Sequence, residues 1–393
     1  MTERVLDPDI RRKAFTLRAR LDEIKEEFVG RDQAIDLLAL AVLCREHVLL
    51  IGPPGTAKTR LLDQFRRMLD ARYFSYLLTR FTEPAELFGP IDFNRFQQGV
   101  YEVNVSGMLP DVDIAFLDEV FQGSSAILNS LLTIINERAF NNGATMLDVP
   151  LVTMLGASND IPDDPLLRAF SDRFLLRLRL DYVADEAIED VLELGWQVER
   201  SLILSTNGRA PEKFPLADLR VLQQEVAAID LAGVRGDFTQ ILREFRAEGI
   251  AFSDRRAVKA QKTFAAAALS AGRARAELAD LWPLVHIWVE PRDEPSIRRI
   301  VESHGVPIDD ARGAATRDLG ELRLDLRELQ GQKDGLGSLE ECRELLRRLG
   351  RLTAELRRDH PAERELLTQV QSEQREVILL SRERFGDGGV DNV

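Results

Sequence analysis

Residues 48–59, Val48-Leu49-Leu50-Ile51-Gly52-Pro53-Pro54-Gly55-Thr56-Ala57-Lys58-Thr59, constrain the fold more than any other stretch. Four apolar residues in succession, two of them β-branched, read as a strand buried on both faces. A Gly/Pro-rich turn follows, and Lys58-Thr59 opens a helical pattern. Strand, glycine turn and helix N-terminus in that order make a phosphate-binding loop. Its backbone N–H groups converge on one place, where the helix dipole favours an anion. Gly52, Pro53, Pro54, Gly55, Thr56 and Ala57 would form the cradle. Lys58 can reach the β- and γ-phosphates of ATP, and the Thr59 hydroxyl can hold Mg²⁺. Ala57 stands where the G-x-x-x-x-G-K-[ST] pattern has its last glycine. Alanine tolerates a helical φ, so this position is expected within the first helical turn. The competing reading is an ordinary turn between strand and helix.

The 393 residues suggest two or three domains, and a 45% hydrophobic fraction is ample for a core. The net charge of −14 disfavours nucleic acid as the main partner, since duplex binders carry a basic excess. Two cysteines, Cys44 and Cys342, and four scattered histidines make neither a disulfide framework nor a zinc site. A reducing cytoplasm is the expected compartment. Residues 1–27 are charged throughout, so no signal peptide is expected, and no run approaches the roughly 18 apolar residues of a membrane span.

Strands are expected at 48–51, 73–78, 113–119, 151–156 and 173–180, alternating with helices. That alternation predicts an α/β domain over 1–182, with a parallel five-stranded sheet covered on both faces. Within it, 79–112 suggest a small inserted hairpin, and Asn141-Asn142-Gly143 a second hairpin tip. From 183 to 305 strand signals stop, which predicts an all-helical second domain, with helices near 184–198, 215–230, 236–247 and 254–272. Residues 306–393 form a charged helical extension. Gly331–Gly337 read as a loop and Ser338-Leu339-Glu340-Glu341 as a capping box. Apolar stripes at 342–356 and 366–380, separated by His360-Pro361, predict antiparallel helices in coiled-coil style. Glu373 falls on the second seam, which suggests a seam not fully satisfied by itself. The arginines between Arg347 and Arg358 alternate with acids and read as a solvated face.

Asp118-Glu119 end an apolar strand 60 residues after the phosphate loop. A hydrolytic site needs one carboxylate for the metal and another for the attacking water. Asp118 suits the first role and Glu119 the second. The alternative is a pair of acids at a helix N-terminus. Asn159 follows another buried strand and can orient water, or it can be a turn residue. Arg173, or else Arg168, can present a cation to a neighbouring subunit; a surface ion pair is the plainer reading. Arg255 opens a helix after Ser253-Asp254 and can reach the γ-phosphate from the second domain. Val29-Gly30 can pack on the adenine or simply guide chain entry.

These signals occur in the order of an AAA+ ATPase. The loop with its alanine resembles the MoxR branch. Leu78-Thr79-Arg80-Phe81-Thr82-Glu83-Pro84, Leu87-Phe88-Gly89-Pro90, Ile127-Leu128-Asn129-Ser130-Leu131-Leu132, Ile135-Asn136-Glu137-Arg138 and Ser253-Asp254-Arg255-Arg256 resemble its RavA subgroup. The resemblance covers about 20–300. It implies an ATP-driven homo-hexamer with a helix-2 insert near 88–108 and a hairpin near 138–149. It also implies that Arg173 acts in trans and Arg255 from the lid. Relatives of this kind are similar to chaperones that remodel proteins, often beside a von Willebrand factor A domain partner. After about 306 the chain departs from the RavA pattern. The expected activity is ATP hydrolysis that drives work on a protein. The alternatives are a nucleic-acid remodeller on the same core, or a nucleotide-dependent scaffold without sustained turnover.

Overall fold

The computed structural model describes residues 4–203, 213–308, 319–333 and 363–385, together with 336–338, 341–342, 345–346, 348–350, 352–353, 356 and 360. The chain forms two compact units, Met1–Gly313 and Ala314–Val393.

The first unit is built on a five-stranded sheet. Its strands are β1 (Val48–Ile51), β3 (Tyr73–Leu77), β4 (Ile114–Asp118), β7 (Thr153–Ser158) and β8 (Leu176–Arg179). Their order is β3-β4-β7-β1-β8 and every pairing is parallel. β1 lies between β7 and β8, with Val48 opposite both Leu155 and Leu176. All of its residues are buried, as a strand covered on both faces requires. β7 begins two residues later than expected, which puts Asn159 directly after its last residue. β8 is shorter than expected, so Arg173 lies in the turn after helix α7 (Pro165–Ser171).

Helix α1 (Pro8–Lys25) starts where the Asp7 carboxylate accepts from the Asp9 N–H at 2.8 Å, with Pro8 in the first turn. α1 and α2 (Asp32–Cys44) pack against α9 (Leu216–Val226) and α11 (Asp254–Ser270), so these contacts run across position 182. Within the expected all-helical region, Phe214–Pro215 (β9) pair with Leu69–Asp70 (β2). Two residues are too short a strand to leave a periodic signal.

The insert also differs from expectation. In place of a two-stranded hairpin, residues 79–112 hold short helices α4 (Pro84–Phe88) and α5 (Phe93–Gln97), and a single bridge joins Ile91 to Val103. Glu83 and Glu86 form a capping box around Pro84, which favours helix there. The second hairpin forms as expected from β5 (Ala139–Asn142) and β6 (Thr145–Asp148), with Gly143 at φ +64°. The buried Asn142 side chain accepts from Val103 N–H at 2.7 Å and donates to Val103 C=O at 3.0 Å. A side-chain amide thus takes the place of a strand partner and ties insert to hairpin.

The second unit has its own core. Leu322, Leu326 and Leu329 of the helix Leu319–Gln332 meet Cys342, Leu345, Leu349, Leu352 and Leu356, and Leu366, Val370 and Val377 of the helix Arg364–Phe385. Both expected seams are therefore buried, with a third helix contributing. Glu373 is satisfied, contrary to expectation: its carboxylate accepts from Lys333 Nζ at 2.6 Å and Gln330 Nε2 at 3.1 Å. The first helix extends into the expected 331–337 loop. Ser338 Oγ accepts from Glu341 N–H at 3.2 Å, but the Glu341 carboxylate caps the Gly337 N–H at 2.6 Å. Leu339, Glu340, Arg347, Arg358 and Pro361 lie outside the described residues.

Candidate functional site

The C-terminal ends of β1, β4 and β7 bring the expected phosphate-site residues together. Gly52 leaves β1 wedged between the neighbouring strand ends: its N–H donates to Ser158 C=O at 3.1 Å, while Leu180 N–H donates to Ile51 C=O at 2.7 Å. A Cβ on Gly52 would stand 2.1 Å from the Leu180 carbonyl oxygen, so no larger residue fits without moving backbone. Gly55 takes φ +84° with open space around it.

Ala57 corrects the sequence reading. It is the residue before the first turn of α3 (Lys58–Met68), at φ 65° and ψ 20°, in the left-handed region. This is where a glycine is normally preferred, because a Cβ there approaches the following carbonyl. Lys58, 8% exposed, folds back so that Nζ donates to Gly52 C=O at 2.6 Å and Pro53 C=O at 2.9 Å. The Thr56 hydroxyl donates to the same Pro53 oxygen at 3.0 Å. Desolvation lowers the Lys58 pKa, against the opposing pull of Asp118 and Glu119.

The Thr59 hydroxyl lies 3.3 Å from Asp118 Oδ2, and Asp118 Oδ1 accepts from Glu119 N–H at 3.0 Å. Glu119 is itself left-handed at φ 49°, a conformation that turns the chain sharply after β4. Asn159 Nδ2 donates to Glu119 Oε1 at 2.8 Å. Lys58, Thr59, Asp118, Glu119 and Asn159 therefore converge from three strand ends.

Beside them, the turn carrying Val29 and Gly30 is fixed to the segment after β8. Arg31 Nη2 donates to Asp181 C=O at 2.8 Å, and Gly30, at φ +65°, would set a Cβ 3.9 Å from Val183. Tyr182 Oη donates to Pro54 C=O at 3.2 Å. Sequence reasoning missed Tyr182. Its only local signal was an aromatic residue just past a strand end, which has many ordinary explanations.

Arg173 and Arg255 meet elsewhere in the unit. They line a depression with Asp172, Leu175, Ser253, Arg256 and Lys259. Arg256 is buried and donates to Asp172 Oδ1 at 2.6 Å, which fastens the N-terminus of α11 to the turn holding Arg173. Burial, then the neighbouring Arg255, lowers the Arg173 pKa. Its Nε is buried and finds no hydrogen-bond partner among the described residues. Arg255 reaches Asn136 Oδ1 only at 3.5 Å. Arg168, the alternative, instead pairs with Asp163 and approaches Glu290 at 3.9 Å. Among the described residues, no hydrogen bond or ion pair joins this cationic group to Lys58, Asp118 or Glu119.

A parallel sheet with a phosphate loop after one inner strand and paired acids after another defines a P-loop NTPase fold. Comparison with known proteins narrows that class. Residues 15–223 match the MoxR domain of the MoxR-vWA-beta-propeller ternary systems, and residues 233–301 match an AAA lid domain. The chain belongs to the MoxR family of AAA+ ATPases. Two uncharacterized proteins of Methanocaldococcus jannaschii are similar to it. One is 36% identical over 278 residues, covering 69% of this chain and 72% of its own. The other is 35% identical over 280 residues, covering 70% and 71%. Chaperone MoxR1 of Mycobacterium tuberculosis is 26% identical over 181 residues, covering 45% of this chain and 47% of its own. A crystal structure of a Cytophaga hutchinsonii protein proposed to be an ATPase shares the fold, with a TM-score of 0.59 and 21% identity. It covers 75% of this chain and 95% of its own. Among the described residues no helix is long and apolar enough to cross a membrane, and no cluster of three or more His, Cys, Asp or Glu could hold a metal ion.

Proposed function

We propose that the chain hydrolyses ATP and uses the energy, as a RavA-like homo-hexamer in the cytoplasm, to remodel a protein partner. The convergence of Lys58, Thr59, Asp118, Glu119 and Asn159 carries this reading. The residues fit ATP with Mg²⁺: among the described residues, no backbone acceptor takes the N–H groups of Gly55, Ala57, Lys58 and Thr59. Thr59 and Asp118 would hold the ion. Two protein oxygens are few for a metal, and Mg²⁺ suits such a site because it commonly keeps waters and phosphate oxygens as its other ligands. The bound ion would neutralise phosphate charge. Lys58 exchanges its two loop carbonyls for phosphate oxygens. Glu119 takes the proton of the attacking water, and the Asn159 amide holds that carboxylate in place. Val29, Gly30 and Tyr182 line the base side.

Arg173 and Arg255 share one surface, which supports both acting on the same nucleotide, that of a neighbouring copy. An arginine supplied in trans stabilises transition-state charge. We take 1–182 as the nucleotide domain, 183–305 as the lid and 306–393 as an extension. The family description supports a von Willebrand factor A domain protein as partner.

Isothermal titration with a non-hydrolysable analogue and a steady-state ATPase assay test the site. Lys58→Ala should lose binding; Glu119→Gln should keep binding and lose turnover. Arg173→Ala should bind and turn over poorly, and mixing it with Glu119→Gln should restore part of the activity. Unchanged affinity in Lys58→Ala would remove the loop assignment. Mixed rings that stay inactive at every ratio would remove the trans role of Arg173.

A further inference from the structure

Helix α8 (Ile188–Ile203) has an apolar side that no described residue covers. Ile188, Leu192, Trp196 and Ile203 recur at helical spacing on that side. Leu192 is 68% exposed, Trp196 65% and Ile203 70%. Leu194 and Val198, on another side, are half-buried. A large aromatic and three aliphatic residues in one exposed row are a docking surface by ordinary standards.

Two observations identify the occupant. The first is charge. Asp185 and Glu186 lead into α8, and Glu189, Asp190, Glu193 and Glu199 lie on it, with Arg200 opposing them. The matching surface is on α11, where Arg255, Lys259 and Lys262 surround Val258, itself 65% exposed. Positions 255, 258, 259 and 262 share one helical face. Arg173 adds a further cation beside Arg255. Glu46 is the carboxylate that binds both lysines, at 2.7 and 2.5 Å, which leaves the face basic. An anionic lipid surface would require the opposite sign on α8.

The second observation is position. α8 begins six residues after Tyr182, whose hydroxyl meets Pro54 of the phosphate loop. The basic face of another copy is the surface that the trans contact would bring to that loop. Apolar centre, charge and location thus agree. We propose that α8 is an intersubunit arm whose Leu192–Trp196 row and acidic flanks seat on the Val258–Lys259–Lys262 face of a second copy, beside Arg255. This rests on the trans reading of Arg173 for its placement.

The full chain with Mg²⁺ and a non-hydrolysable ATP analogue provides the test. Leu192→Asp/Trp196→Asp should weaken self-association by about 30-fold or more, as loss of a central aromatic anchor does. Affinity of each protomer for the analogue should be unchanged. A mixture of Trp196→Cys and Val258→Cys proteins should give a disulfide-linked dimer on mild oxidation, which neither protein alone gives; the native Cys44 and Cys342 are buried. Wild-type-like assembly of the Asp variant by light scattering, with no mixed disulfide, would overturn the arm and assign the row to a different partner. Wild-type protein that stays monomeric with the analogue would overturn it too. The complementation of Arg173→Ala by Glu119→Gln separates the two ideas. Its success beside a failed arm leaves the trans arginine standing, and its failure beside a cross-linked arm removes only the arginine.

Discussion

Gly52→Ala tests whether the site rests on close backbone approach. The added Cβ would lie 2.1 Å from Leu180 O, whereas ordinary contact begins at 3.4 Å. Relief requires the strand ends to part by roughly 1 Å, because repulsion rises steeply inside contact distance. One hydrogen bond spans that gap, Leu180 N–H to Ile51 C=O at 2.7 Å. A buried group left unpaired costs about 1–3 kcal/mol, and losing this bond leaves both its N–H and its C=O unpaired, so the loss should be about 3 kcal/mol. Moving Gly52 also moves the carbonyl that Lys58 holds at 2.6 Å. Analogue affinity should therefore fall at least about tenfold, the equivalent of 1.4 kcal/mol. Gly55→Ala is the contrast: φ +84° with nothing nearby should cost only about 1–2 kcal/mol of strain. Urea unfolding followed by tryptophan fluorescence suits the comparison, since Trp196, Trp282 and Trp288 all lie in the first unit. A Gly52→Ala protein with the wild-type midpoint and wild-type analogue affinity would refute the argument.

Two further outcomes are expected. His47 is fully buried, with Nδ1 accepting from Met154 N–H at 2.9 Å, and burial lowers its pKa well below the ordinary 6.5. The unfolded chain then binds a proton that the folded chain does not. Stability therefore falls as pH drops below about 6.5, by up to about 1.4 kcal/mol per pH unit. His47→Asn should remove that component of the slope in urea unfolding between pH 7 and 5, and an unchanged slope would contradict it. Truncation after Gly313 should leave the tryptophan-monitored midpoint within about 0.5 kcal/mol of full length, since each unit has its own buried cluster. A collapse of the midpoint would show that the first unit depends on the second.

What the sequence determined by itself was local. The apolar run before Gly52, the paired acids after β4 and the helical stripes of 342–380 each carry their pattern within about 15 residues. A buried strand or seam must show it in its own composition. The same holds for the Asn141–Gly143 turn, where one glycine meets the demand for a positive φ. Tertiary structure decided the rest. The left-handed Ala57 conformation could not be read from a residue that also suits a helix. The insert became two short helices with one bridge because Asn142, 39 residues from Val103, supplies the missing partner. Tyr182 reaches Pro54 across 128 positions, and Arg256 reaches Asp172 across 84. Such contacts leave no periodic mark, because each depends on where a different strand ends and not on the residues beside it. For the same reason, only the folded chain placed Arg173 beside Arg255 and left the apolar row of α8 exposed.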